Sequence, residues 1–286
     1  MDASRFLIVG GNGQLGTALR ERFPQAKATS HSELDITNWQ SVESYDWANI
    51  DAIINAAAYT NVDEAETAEG REAAWQTNAQ AVAYLTKIAS AKDKTLVHIS
   101  TEYVFDGTKN PHTEDERVTP LGVYAQSKTA GDIAASVTPK HYILRTSWVI
   151  GDGKNFVRTM MGLADKNISP AVVHDQIGRL TFTNTLVDAI EQLLKTTASY
   201  GIYNISNDGD PASWADVTRA IFKELGRDDL QVANTTTKEY FASKPQAAPR
   251  PLLSVLDLGK IKATGLQLRD WRDDLHHYIA NQKEQA

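Results

Sequence analysis

RFLIVGGNGQLGTALRERF, residues 5–23, passes from a short apolar string (Phe6–Val9) through a glycine-rich turn into a helix-like stretch that ends before Pro24. Gly10, Gly13 and Gly16 stand three apart between the predicted strand and helix. Glycines at such a junction permit a tight turn, close backbone approach to a pyrophosphate and close packing of helix on sheet. Free amides at the helix start then meet negative charge. No Gly-Lys-Ser/Thr ends the loop, which disfavours a nucleoside-triphosphate loop and favours a dinucleotide.

Outward from this stretch, apolar strings alternate with helical spacing. DAIINAAAYT (51–60) precedes an alanine-rich helical segment reaching NAQAVAYLTKIASAKD (78–93). TLVHIST (95–101) reads as a buried strand, and HYILRTSWVIG (141–151) as another after an intervening helix. Fully apolar strands alternating with helices predict an α/β fold, a Rossmann-like doubly wound parallel sheet over residues 1–150. Past Gly151 the pattern is mixed. NFVRTMMGLADK (155–166) and SWADVTRAIFKELG (213–226) read as helices, a last helix begins near Leu268, and GIYNISN (201–207) reads as a strand returning to the sheet. Residues 151–286 are therefore expected to form mainly a smaller, interleaved substrate-binding domain.

Lys and Arg number 29 against 36 Asp and Glu, a net charge of −7, with no basic tract, so a nucleic-acid polymer is not the expected partner. There is no cysteine, hence no thiolate ligand or cysteine nucleophile, which suits a reducing compartment. MDASRFLIVGG lacks a signal-peptide pattern and no apolar string is long enough to span a bilayer; a cytoplasmic protein without membrane attachment is expected. His276 and His277 are adjacent and splay apart, and no metal site is expected.

PLGVYAQSKTAG (120–131) places Tyr124 and Lys128 four apart, on one face of a predicted helix. An ammonium beside a phenol is expected to lower a pKa ordinarily near 10, and the tyrosine could then exchange a proton with a carbonyl or alcohol oxygen. Lys128 could also bond a nicotinamide ribose. The preceding strand delivers Ser100 and Thr101 to the C-terminal edge, where open parallel sheets bind ligands, and Thr101 could orient the reacting oxygen. Near the end of the second strand, Ser30 and His31 could line a phosphate, with Glu33 the alternative, as a partner for ribose hydroxyls. Asp35 is expected near an adenine amino group with Ile36 packed on the ring. NAD and NADP both stay open, with NADPH preferred.

With these residues in view, the chain resembles the extended short-chain dehydrogenase/reductases and, within them, the dTDP-4-dehydrorhamnose reductases. GGNGQLG, INAAAYTNVDEAE, ISTEYVFDG, VYAQSKTAGD, LRTSWVIG, VVHDQIGRLT and RPLLSVLD carry the likeness through most of the chain. The resemblance implies reduction, by NADPH or NADH, of the C4 ketone of dTDP-4-dehydro-6-deoxy-L-mannose to dTDP-L-rhamnose. It implies Thr101, Tyr124 and Lys128 as the catalytic group and Gly10, Asn12, Gly13, Gln14, Leu15 and Gly16 as the cofactor loop. Asp35, Ile36, Ala57, Ala58, Tyr59 and Asn78 would flank the cofactor. Tyr103, Trp148, Arg179 and Arg250 fall on the substrate side, Arg250 near the nucleotide diphosphate. The resemblance is compatible with a monomer or a homodimer.

Two positions depart from the family pattern. Glu102 replaces the usual Asp after Thr101, and Ile150 stands where an aromatic residue is common. Competing readings are another sugar-nucleotide reductase, an epimerase, a dehydratase, or a nucleotide-binding regulatory subunit without turnover. Against the dehydratase, Tyr103 stands where the resembling dehydratases carry a second carboxylate.

Overall fold

A computed structural model describes residues 1–196, 198–244 and 246–284. In chain order the first half forms β1 (Phe6–Val9), α1 (Gln14–Arg22), β2 (Lys27–Thr29), α2 (Trp39–Ser44), β3 (Ala52–Asn55), α3 (Ala68–Trp75), α4 (Ala81–Ala91), β4 (Thr95–Thr101), α5 (Val123–Ala135) and β5 (His141–Thr146). The second half adds β6 (Val149–Ile150), α6 (Phe156–Asp165), β7 (Ala171–Val173), β8 (Ile177–Gly178), β9 (Thr181–Phe182), α7 (Thr183–Thr196) and β10 (Gly201–Ile205). It closes with β11 (Ala212–Ser213), α8 (Trp214–Glu224), β12 (Ala233–Thr235), α9 (Thr237–Phe241), α10 (Gly259–Lys262) and α11 (Trp271–Glu284).

Six strands form one sheet in the order β10-β5-β4-β3-β1-β2, every pairing parallel. The apolar strings form it because successive side chains enter opposite helical layers, as strand geometry requires. Phe6, Ile8, Ile54, Val97 and Leu144 pack with α1 and α7 on one face. Leu7, Val9, Ile53, Leu96 and Ile143 pack with α2 and α4 on the other. Each such burial contributes roughly 1.5–3 kcal/mol. The chain moves outward from β1 to the edge strand β2, then crosses back to β3 on the other side of β1. That reversal opens a crevice above the strand ends.

The second half is shared between two cores. Leu186, Ile190 and Leu193 of α7, with Tyr203 and Ile205 of β10, complete the sheet's core. A separate core joins Val157 and Met160 of α6, Leu180, Phe182, Ile221 and Phe222 with Trp271, Leu275 and Ile279 of α11. Helix α8 begins where Ser213 and Asp216 form a reciprocal capping box. The last helix starts at Trp271, three residues later than its apolar spacing suggests. The short α2, capped by Asn38, escaped sequence reading because six residues carry too little periodicity. No helix among the described residues is long and apolar enough to cross a membrane.

Candidate active site

A cavity of about 700 Å³ lies above the C-terminal ends of β1, β3 and β4. Asn12, Gly13, Gln14 and Leu15 form one wall; Ser100, Thr101, Glu102 and Tyr103 with Tyr124 and Lys128 form the other. Trp148, Trp214, Asp152 and Lys154 complete it from the second half of the chain.

The glycine wall is dictated by backbone contact. Gly10 has φ +79°, and a Cβ there would come within 2.7 Å of the Ala57 amide nitrogen. A Cβ on Gly16 would sit 2.2 Å from the Gly10 carbonyl oxygen. Gly13 caps α1 without a side chain, which leaves backbone amides facing the crevice, and Gln14 carries a buried, unpaired Oε1. Backbone packing that admits no Cβ at Gly10 or Gly16, with an α1 start that no side chain caps, fits a dinucleotide pyrophosphate. Ala58 lines the cavity and Ala57 packs on the opposite helical layer.

The catalytic wall is built by β4, the turn after it, and α5. Strand β4 ends at Thr101, whose hydroxyl accepts from the Tyr103 amide at 3.2 Å and lies 2.8 Å from Glu102 Oε2. Helix α5 begins at Gly122, where a Cβ would lie 2.7 Å from Glu66 Oε1, and Glu66 accepts the Val123 amide at 2.8 Å. One turn of this helix brings Tyr124 and Lys128 onto the same cavity wall. Lys128 Nζ donates to the Ile99 carbonyl at 2.6 Å, and the Tyr103 and Tyr124 rings meet edge to face at 5.8 Å.

The electrostatics correct one expectation. Burial pushes the Tyr124 phenol above its ordinary value, aided by the Glu102 charge and opposed by the neighbouring Thr101 hydroxyl. Lys128 does not depress it: burial lowers the lysine itself to about 8, with the Asp132 charge opposing. Desolvation outweighs charge pairing here because both groups leave water together. Burial likewise raises Glu102 to about 8, with the Thr101 hydrogen bond pulling the other way. His98, behind Lys128, is held well below its usual value by burial and then by the lysine charge.

Other expected residues find different roles. Asn78 does not face the cavity: its Oδ1 accepts the Tyr59 amide and its Nδ2 donates to the Tyr59 carbonyl and Ser127 Oγ, tying the β3 loop to α5. Asp35 spends its carboxylate on Thr37 N and Oγ1, and Ile36 is buried in the α2/α4 layer rather than laid open to a ring. Ser30 borders a second cavity of about 740 Å³ beside Gly11, Asn12, Arg20 and Glu33. Glu33 folds back onto the Ser30 amide and hydroxyl at 2.8 and 2.7 Å, while His31 stays exposed, 3.4 Å from Asp35.

Arg179 is not brought to the cavity. It donates to the Gly209 and Leu256 carbonyls and so clamps two loops. Arg250 lies outside the cavity lining, beside Tyr103, and bonds Asp63 Oδ1 at 2.6 Å. Ile150 belongs to the second core. Sequence reading missed Trp214, which stacks on Trp148 at 3.7 Å between ring centroids, and Asp63. Gly178 marks that stack, since a Cβ there would lie 2.9 Å from the Trp148 ring.

The RmlD substrate binding domain family matches residues 4–284. A dTDP-4-dehydrorhamnose reductase of Aggregatibacter actinomycetemcomitans is 39% identical over 97% of this chain and 99% of that protein. The crystal structure of a dTDP-4-dehydrorhamnose reductase from Clostridium acetobutylicum superposes with a TM-score of 0.90 at 35% identity, covering 97% of this chain and 99% of that one. The Bacillus anthracis dTDP-4-dehydrorhamnose reductase, solved in complex with NADP, gives 0.88 at 33% identity over the same shares. A glycine cradle, a Thr/Tyr/Lys cavity wall and full-length likeness lead to one assignment: the chain belongs to the dTDP-4-dehydrorhamnose reductase family.

Proposed function

We propose that this protein reduces the C4 ketone of dTDP-4-dehydro-6-deoxy-L-mannose to dTDP-L-rhamnose with NADPH, accepting NADH. The observation that carries the reading is the meeting of Thr101, Tyr124 and Lys128 in one cavity with Asn12–Leu15 of the glycine turn. The relatives named for this reaction, one of them solved with NADP, support it over the whole chain length.

When bound, the reduced cofactor supplies a hydride. Thr101 and Tyr124 hold the C4 oxygen as its charge develops, and the phenol gives that oxygen its proton. A raised phenol pKa suits this direction, because the group must begin each reduction protonated. Lys128 spends one of its three donors on Ile99, and the others are available to the nicotinamide ribose. Trp148 and Trp214 offer an apolar wall to the sugar, while Tyr103 and, outside the cavity lining beside it, Arg250 suit the nucleotide diphosphate. NADPH is favoured because Glu33 is occupied by Ser30, leaving Arg20 on the cavity beside Ser30 to meet a ribose phosphate. We read residues 1–150 with β10 as the cofactor side and most of 151–286 as the substrate side.

The test is the purified protein with synthesized dTDP-4-dehydro-6-deoxy-L-mannose and each reduced cofactor in parallel. The expected result is cofactor oxidation, faster with NADPH, and a product heavier by two hydrogens. Cofactor binding without oxidation would contradict the reading, and loss of water from dTDP-glucose would point to a dehydratase.

A further inference from the structure

Thr101 has one hydroxyl hydrogen and two lone pairs, and three neighbours compete for them. The Tyr103 amide takes one lone pair at 3.2 Å. Glu102 Oε2 lies 2.8 Å away, and the third is a substrate oxygen held beside Tyr124, which lines the same wall. If Glu102 is ionised it can only accept, so it takes the Thr101 hydrogen. The hydrogen that Thr101 would offer a substrate oxygen is then consumed inside the wall, and Tyr124 alone is left to donate.

If Glu102 is a neutral carboxyl, the same 2.8 Å oxygen pair carries the hydrogen in the opposite direction. The carboxyl fills the second lone pair of Thr101, and the hydrogens of Thr101 and Tyr124 are both free. We propose that Glu102 acts as a neutral positioning residue, donating to Thr101 so that Thr101 and Tyr124 both point their hydrogens at the carbonyl oxygen. The inference rests on the roles given above to Thr101 and Tyr124.

The surroundings favour the neutral form. Glu102 is 3% exposed, and the nearby cations are engaged elsewhere. Lys128, from α5, bonds the Ile99 carbonyl; Arg250, beyond Tyr103, bonds Asp63. Tyr103 in the same turn and Tyr124 from α5 bring no positive charge, and Asp152 and Lys154 line the far part of the cavity. Burial with a ring of neutral partners raises the carboxyl to about 8.

The experiment compares kcat against pH for the wild type, Glu102→Gln and Glu102→Asp, with cofactor affinity measured alongside. The wild type should lose about tenfold in kcat per pH unit once Glu102 ionises, with unchanged cofactor affinity. Glu102→Gln, whose amide donates at every pH, should be several-fold slower yet lack that alkaline fall, and Glu102→Asp should restore it. The same fall in Glu102→Gln, or a wild-type kcat that rises through this range, would overturn the proposal. An infrared difference titration, wild type minus Glu102→Gln, needs no substrate. It should show a protonated carboxyl at neutral pH; an ionised carboxylate there would also overturn the proposal. Absent turnover with a protonated band would count against the substrate reading alone.

Discussion

The two walls of the cavity are made by different means. On the β1–α1 side, the shape is set by backbone: Gly10 at φ +79° lies against Ala57, and Gly16 lies against the Gly10 carbonyl. On the β4–α5 side, it is set by side chains whose protonation and hydrogen-bond direction depend on one another, with Thr101, Glu102, Tyr124 and Lys128 all buried or nearly so. Damage to the first wall should abolish binding; damage to the second should abolish chemistry with binding retained.

The largest separation of the two walls is expected from Tyr124→Phe. The ring and its edge contact with Tyr103 remain while the proton is lost, so kcat should fall about a thousandfold at nearly constant cofactor affinity. Steady-state rates beside a fluorescence titration of NADPH would show the split, and parallel losses in both would erase the distinction.

Next comes the pH dependence of stability. The folded-state pKa of Glu102, about 8, lies above the ordinary value near 4.3, so the folded protein holds this proton more tightly than the unfolded chain. Its contribution is fully present below about pH 4.3 and is lost progressively as pH rises from there to about 8. Urea unfolding of wild type against Glu102→Gln should therefore show the wild type losing on the order of 5 kcal/mol relative to the variant between about pH 4 and pH 8. A constant difference would mean that Glu102 titrates normally.

On the glycine wall, Gly16→Ala must displace backbone rather than a flexible side chain. It should cost about 2 kcal/mol of stability and weaken cofactor binding, measurable by denaturation and by titration. The smallest effect is expected outside the cavity lining: Arg250→Ala should raise KM for the sugar nucleotide about tenfold, equal to about 1.4 kcal/mol, with little change in kcat. A fall in kcat instead would move Arg250 inward to the chemistry.

The same contrast explains what the residues disclosed before any coordinates. Gly10 and Gly16 announce their wall because close backbone approach leaves glycine as the residue that fits. Alternating apolar strands and the four-residue spacing of Tyr124 and Lys128 are likewise local patterns. The direction of the Tyr124 shift was not legible, since it depends on burial contributed by the whole cavity. Nor was the capture of Arg179 by carbonyls near Gly209 and Leu256, or of Arg250 by Asp63, contacts 30, 77 and 187 residues away in the chain. The resemblance places Asn78 beside the cofactor, and only the fold reveals that its amide ties Tyr59 to Ser127.

The central claim is spatial: a neutral phenol and a threonine hydroxyl share one reacting oxygen beside the glycine turn. Its most direct test is a crystal structure of the protein with oxidised cofactor and dTDP-L-rhamnose. The account predicts the sugar O4 within roughly 2.5–3.0 Å of both Tyr124 Oη and Thr101 Oγ. An O4 seated elsewhere, with Tyr124 beyond hydrogen-bonding reach of it, would contradict the account.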